Sequence, residues 1–74
     1  MEENQILELG FKKNQTEQDG VIYTEYIIGN GKVGIEISGT TLVEITEGRG
    51  SFITVPNCQT IEDLKQLIKL FNIK

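Results

Sequence analysis

Thr60–Asn72, TIEDLKQLIKLFN, constrains the fold more than any other segment of the chain. Its apolar residues Ile61, Leu64, Leu67, Ile68 and Phe71 step by three and four, the spacing that puts them in one stripe along an α-helix. Thr60 followed three residues later by Asp63 is a helix-start signal: the hydroxyl accepts from an otherwise unpaired amide, and the carboxylates of Glu62 and Asp63 sit at the positive end of the helix dipole. Lys65, Lys69 and Lys74 lie towards the other end, where positive charge is favoured. A helix this short is marginal alone, so its stripe needs a cover. The residues before it supply one, because they read as a sheet.

Working back from the helix, Pro56 cannot donate to a ladder and holds Val55 extended, so it closes the last strand, Ser51 to Val55. Gly48-Arg49-Gly50 reads as the turn before it, and Thr41 to Thr46 as a strand with Val43 and Ile45 on the core side and Glu44 outside. Ser38-Gly39-Thr40 turns the chain. Lys32 to Ser38 alternates, with Val33, Ile35 and Ile37 facing one way and Gly34 and Glu36 the other. Gly29-Asn30-Gly31 is a tight connection from Val21 to Ile28, VIYTEYII, whose β-branched and aromatic content marks a strand. Glu17-Gln18-Asp19-Gly20 supplies another turn, and Phe11 to Gln15 is a polar edge strand on which Lys12 and Lys13 discourage strand addition.

Residues 3 to 9, ENQILEL, fit a short helix or an edge strand. Gly10 favours the helix, since it suits a left-handed cap that folds Phe11 back on Ile6. Asn4 is the only obvious N-cap. The fold class predicted is α+β: an antiparallel meander of four to five strands packed on a C-terminal helix, with a short N-terminal helix, all in a single domain over residues 1–74.

Composition narrows the function. A hydrophobic share of 38% with eight glycines is that of a globular chain rather than a disordered tail. No run approaches the roughly 18 apolar residues of a membrane span. A lone cysteine forms no internal disulfide, and MEENQ lacks the features of a secretion signal, so a cytoplasmic location is expected. For the same reason the acceptor-like Asn14-Gln15-Thr16 implies no glycosylation. The net charge of −4 is uneven: residues 1 to 63 hold eleven acids and four bases, net −7, and the tail holds three lysines, net +3. That balance argues against direct nucleic-acid binding and suits a partner that is itself basic.

The chemistry-bearing motifs are few. Gly29-Asn30-Gly31-Lys32-Val33-Gly34 is a literal G-x-G-x-x-G, but a dinucleotide site needs a helix after it, and an alternating strand follows instead. A kinase-type glycine loop needs a catalytic lobe for which 74 residues leave no room. The motif is a hairpin. Cys58 precedes a helix start, which lowers a thiol pKa, yet no histidine serves as its base and no second cysteine resolves it; a buried, inert thiol is the better reading. The absence of histidine excludes Ser-His and Cys-His nucleophiles and ordinary zinc sites. Glu25, Glu36 and Glu44 fall on adjacent strands, where aligned carboxylates work as an acid/base pair, hold a divalent cation, or simply face solvent; the last is preferred. No catalytic, cofactor-binding or metal-binding residue is assigned.

What remains is a surface. Tyr23 and Tyr26 have opposite parity, so one points away from the core unless both faces of the strand are covered. Tyr23, Glu25, Tyr26, Glu36 and Glu44 together make a candidate protein-binding patch, with tyrosine supplying contact area and a polar tip. The sheet edges offer a second route, self-association as a homodimer or a small morphogenetic module.

Two segments, Leu7-Glu8-Leu9-Gly10-Phe11-Lys12-Lys13 and Thr60 to Ile68, on either side of turn-separated short strands, resemble small proteins encoded by bacteriophages and integrated mobile elements. The shared positions are caps and core residues. Some such proteins inhibit host defences, including anti-CRISPR proteins that bind an effector complex. The resemblance therefore implies a non-enzymatic, cofactor-free inhibitor or modulator of a host protein or ribonucleoprotein, acting through an acidic sheet surface.

Overall fold

A computed structural model describes residues 1–39, 42–47 and 51–73. The chain runs α1 (Glu3–Glu8), β1 (Lys12–Gln18), β2 (Val21–Gly29), β3 (Val33–Ser38), β4 (Leu42–Glu47), β5 (Ser51–Thr54) and α2 (Ile61–Leu70). The strands form one antiparallel sheet in sequence order, β1-β2-β3-β4-β5. This is the α+β meander read from the sequence. The turn expected at Gly48-Arg49-Gly50, the residues Thr40 and Thr41 of the preceding turn and strand, and Lys74 of the basic tail lie outside the described residues.

The face of each strand follows its period of two. Tyr26 and Ile28 of β2, Ile35 and Ile37 of β3 and Val43 of β4 are buried in one cluster with Ile6, Phe11, Cys58, Leu64 and Ile73. Both helices therefore lie on the same side of the sheet, α1 contributing Ile6 and α2 contributing Leu64. Ile61, Leu67, Ile68 and Phe71 flank Leu64, partly buried, so the stripe of α2 is turned towards the strands as its spacing requires. Leu70 falls off the stripe and stands exposed.

Local chemistry fixes the helix ends. Thr60 Oγ1 accepts from the Asp63 amide at 3.1 Å, and Asp63 Oδ2 accepts from the Thr60 and Gln59 amides at 3.2 Å each. These bonds hold the Asp63 carboxyl below its ordinary range, the Gln59 amide first among them. At the other end Asn72 takes a φ of 54°, and the amides of Asn72 and Ile73 donate to the carbonyls of Lys69 and Ile68, the paired bonds of a Schellman ending that returns Ile73 to the core. α1 ends on Gly10 at a φ of 103°, and Phe11 joins Ile6 in the buried cluster. Its N-cap is Glu2 rather than Asn4, with the Glu2 amide donating to Gln5 Oε1 at 3.4 Å.

Two connections differ from expectation. β1 extends three residues past Gln15, because Asp19 and Gly20 suffice for the turn: both have positive φ, 54° and 79°, the conformation whose twist matches a two-residue hairpin. Between β2 and β3 the link is the three residues Asn30 to Lys32. Its geometry comes from the Asn30 side chain, whose Oδ1 accepts from the amides of Lys32 and Val33 at 2.9 Å each. Asn30 Nδ2 also donates to the Phe71 carbonyl at 3.2 Å, tying this hairpin to the end of α2.

Candidate recognition surface on the outer face of the sheet

With both helices on one side, the residues of opposite parity form the other. Register sets their neighbours. Glu36 of β3 stands directly across from Glu44 of β4, with Ile27 of β2 on its other flank and Lys12 of β1 beyond that. Glu25 pairs with Ser38 and is diagonal to Glu36. Thus Glu25, Glu36 and Glu44 do come together on the outer face.

Their electrostatics are unbalanced. The two ion pairs among the described residues, Lys13–Glu3 and Lys65–Glu62, lie elsewhere. Glu36 is pushed up to about 7, first by a hydrogen bond with Glu25 that only a protonated carboxyl can donate, then by partial burial, then by the charges of Glu25 and Glu44. Like charges directly opposed across a sheet are destabilising. The fold tolerates that cost here.

The two tyrosines separate. Tyr23 is 52% exposed on the outer face, two residues along β2 from Glu25, and borders an open depression lined also by Thr16, Glu25, Glu36 and Ser38. Tyr26 is only 4% exposed and belongs to the core, which removes it from the surface patch. Its parity is that of Ile28, and the strand register seats it between Lys13 and Ile37 on the helix side. Burial raises its hydroxyl, with the charge of Glu3 adding to the effect. Outward-facing apolar residues take its place in the patch: Ile27 beside Glu36, and Leu42 and Phe52 along β4 and β5. Their signal was parity. Ile27 follows the inward Tyr26, and Leu42 precedes the inward Val43.

The other motifs are structural. In the glycine run, Gly29 pairs with Gly34 across the β2–β3 hairpin. A Cβ on Gly34 would lie 2.7 Å from Thr46 Oγ1 and 3.2 Å from the Ile28 carbonyl, so close packing accounts for the third glycine. Cys58 is buried, and burial raises its thiol, with the Asp63 charge adding to it. Among the described residues no three His, Cys, Asp or Glu side chains are placed to hold one metal ion, and no helix is long and apolar enough to cross a membrane. No protein-family model matches the chain, and no curated protein or solved structure shows significant similarity to it.

Proposed function

We propose that this chain is a non-enzymatic binding protein that engages a basic protein surface through the outer face of its sheet. The observation that carries the reading is the position of Glu36, held against Glu25 and Glu44 with neither ion pair of the described residues reaching it. An arginine or lysine delivered by a partner relieves that repulsion and stabilises the ionised cluster. Tyr23 and Ile27, both exposed beside the carboxylates, supply the apolar contact that a charged patch lacks. A net charge of −4 speeds encounter with a basic surface and repels nucleic acid. In keeping with the phage-protein resemblance, the partner proposed is a host nucleic-acid-processing complex in the bacterial cytoplasm, blocked at its basic channel as an anti-CRISPR protein would block it.

The test compares the wild-type chain with a variant carrying Glu25→Gln, Glu36→Gln and Glu44→Gln. Immobilised wild-type protein is expected to retain a basic partner from a bacterial lysate at low salt and to inhibit its nuclease activity. The triple variant is expected to lose both, with its far-UV circular dichroism unchanged. Equal retention by the two proteins, or retention without inhibition, contradicts the proposal.

A further inference from the structure

The sheet has two edges, and they differ. β1 presents Lys12, Lys13 and Glu17 among seven exposed positions, a charged edge unsuited to strand addition. β5 reads Ser-Phe-Ile-Thr, without a charge, and no described segment pairs with its outer side. Phe52 and Ile53 are both exposed, Ile53 by 68% although its parity is that of the core. Ile53 lines a largely apolar hollow of about 400 Å³ together with Val33, Ile45 and Phe71, bordered by Lys32, Thr46 and Glu47. The sandwich is open at this end.

The hydrogen-bond phase of β5 determines what fits. The Val55 amide donates to the Val43 carbonyl at 2.9 Å, directed inward to β4. Alternation along an antiparallel strand then directs Ile53 inward as well, paired with Ile45, and leaves the N–H and C=O of Phe52 and Thr54 facing outward. Two copies related by a two-fold axis normal to the sheet satisfy those groups completely. Phe52 of one copy exchanges both bonds with Thr54 of the other, the reverse pair does the same, and Ile53 meets its own counterpart at the central, closely spaced, non-hydrogen-bonded position. The two exposed Ile53 side chains, each lining its own hollow, then shield one another from solvent. Same-face parity is preserved, because Phe52 and Thr54 are both outward and both Ile53 side chains lie on the helix side.

We infer that β5 is a homodimerisation edge, joining two five-stranded sheets into one of ten strands. A second copy is favoured over a foreign peptide because the edge is its own complement in both bonding phase and side chains. The strand itself is also uncharged, so no carboxylate is brought opposite another within the paired segment. The two-fold axis places both outer faces on the same side, which makes the acidic surface bivalent towards a repetitive basic target.

Sedimentation equilibrium of the full chain tests this over concentrations on the order of 10 µM to 1 mM, a range set by an interface smaller than that of tight dimers. The mass is expected to rise from one chain towards two. Thr54→Pro removes an outward N–H without touching the β4 ladder, and is expected to leave a folded monomer. Ile53→Cys places thiols at the central pair and is expected to form an intermolecular disulfide under mild oxidation much faster than Phe52→Cys, whose counterparts lie two residues out of register; Cys58 is buried and does not compete. A wild-type chain that stays monomeric throughout, including one that only takes up extended peptides, overturns the inference. So does a folded Thr54→Pro dimer, or equal cross-linking of the two cysteine variants. Should Thr54→Pro fail to fold, the cross-linking comparison decides alone.

Discussion

Leu64→Ala is expected to cost about 3–5 kcal/mol and to leave much of the protein unfolded at 25 °C. Leu64 is fully buried, the one residue of α2 that is, at the seam where the helix meets the sheet. Removing its isobutyl group leaves a cavity at that seam beside the partly buried Ile61, Leu67 and Ile68, and the cavity adds to the cost of the lost burial. A 74-residue domain has roughly 4–11 kcal/mol of stability in total, so the loss is a large part of it. α2 has ten residues and does not persist without its packing. Urea unfolding followed by far-UV circular dichroism reads the effect. Leu70→Ala is the control: its side chain is 75% exposed, and the change should fall within about 0.5 kcal/mol of the wild type. Wild-type stability in Leu64→Ala would mean that the helix does not cover the sheet.

Glu36→Gln is expected to stabilise the protein at pH 8 and to do nothing at pH 4. The sign follows from the direction of the shift. In the native state the Glu36 carboxyl is raised from 4.5 to about 7, so between those values the folded chain holds a proton that the unfolded chain has released. Stability from this group is therefore full below about 4.5 and falls as pH climbs through 7. A shift of that size corresponds to as much as ~3 kcal/mol, and the partial solvent access of the side chain reduces the expected gain in Glu36→Gln to about 1–2 kcal/mol. Asp63 acts in the opposite sense. Its lowered carboxyl contributes stability above 3.8 that is lost as pH falls. Urea midpoints measured from pH 4 to 8 should diverge between wild type and Glu36→Gln as pH rises; parallel curves would show that the three glutamates do not interact.

Much of the fold was legible because its signals are local. Thr60 and Asp63 cap α2 as their spacing requires, and the alternation of Val33, Ile35 and Ile37 placed the core face of β3 and, by parity, the outer glutamates. Gly10 and Phe11 marked the end of α1 for the same kind of reason: a left-handed residue followed by an apolar one has few other uses. The site was less legible because it depends on register. That Glu36 faces Glu44 follows from the β3–β4 pairing, and so from the exact length of a loop, which neither residue encodes. In VIYTEYII both parities are apolar, so Tyr23 and Tyr26 could not be told apart until Ile35 and Ile37 selected the face of Tyr26 and Ile28. The Asn30-Gly31 pair marked a hairpin correctly but concealed its form, since the decisive bonds come from the Asn30 side chain and reach Phe71, far along the chain.

If the outer face of the sheet binds a basic partner as proposed, a nuclear magnetic resonance titration of the isotope-labelled chain with an arginine-rich peptide at pH 8 reports it residue by residue. Perturbations are expected to cluster on Tyr23, Glu25, Ile27, Glu36 and Glu44, and to weaken steeply with added salt. Shifts confined to α2 and its neighbours, or none on the outer strands at low salt, would contradict it.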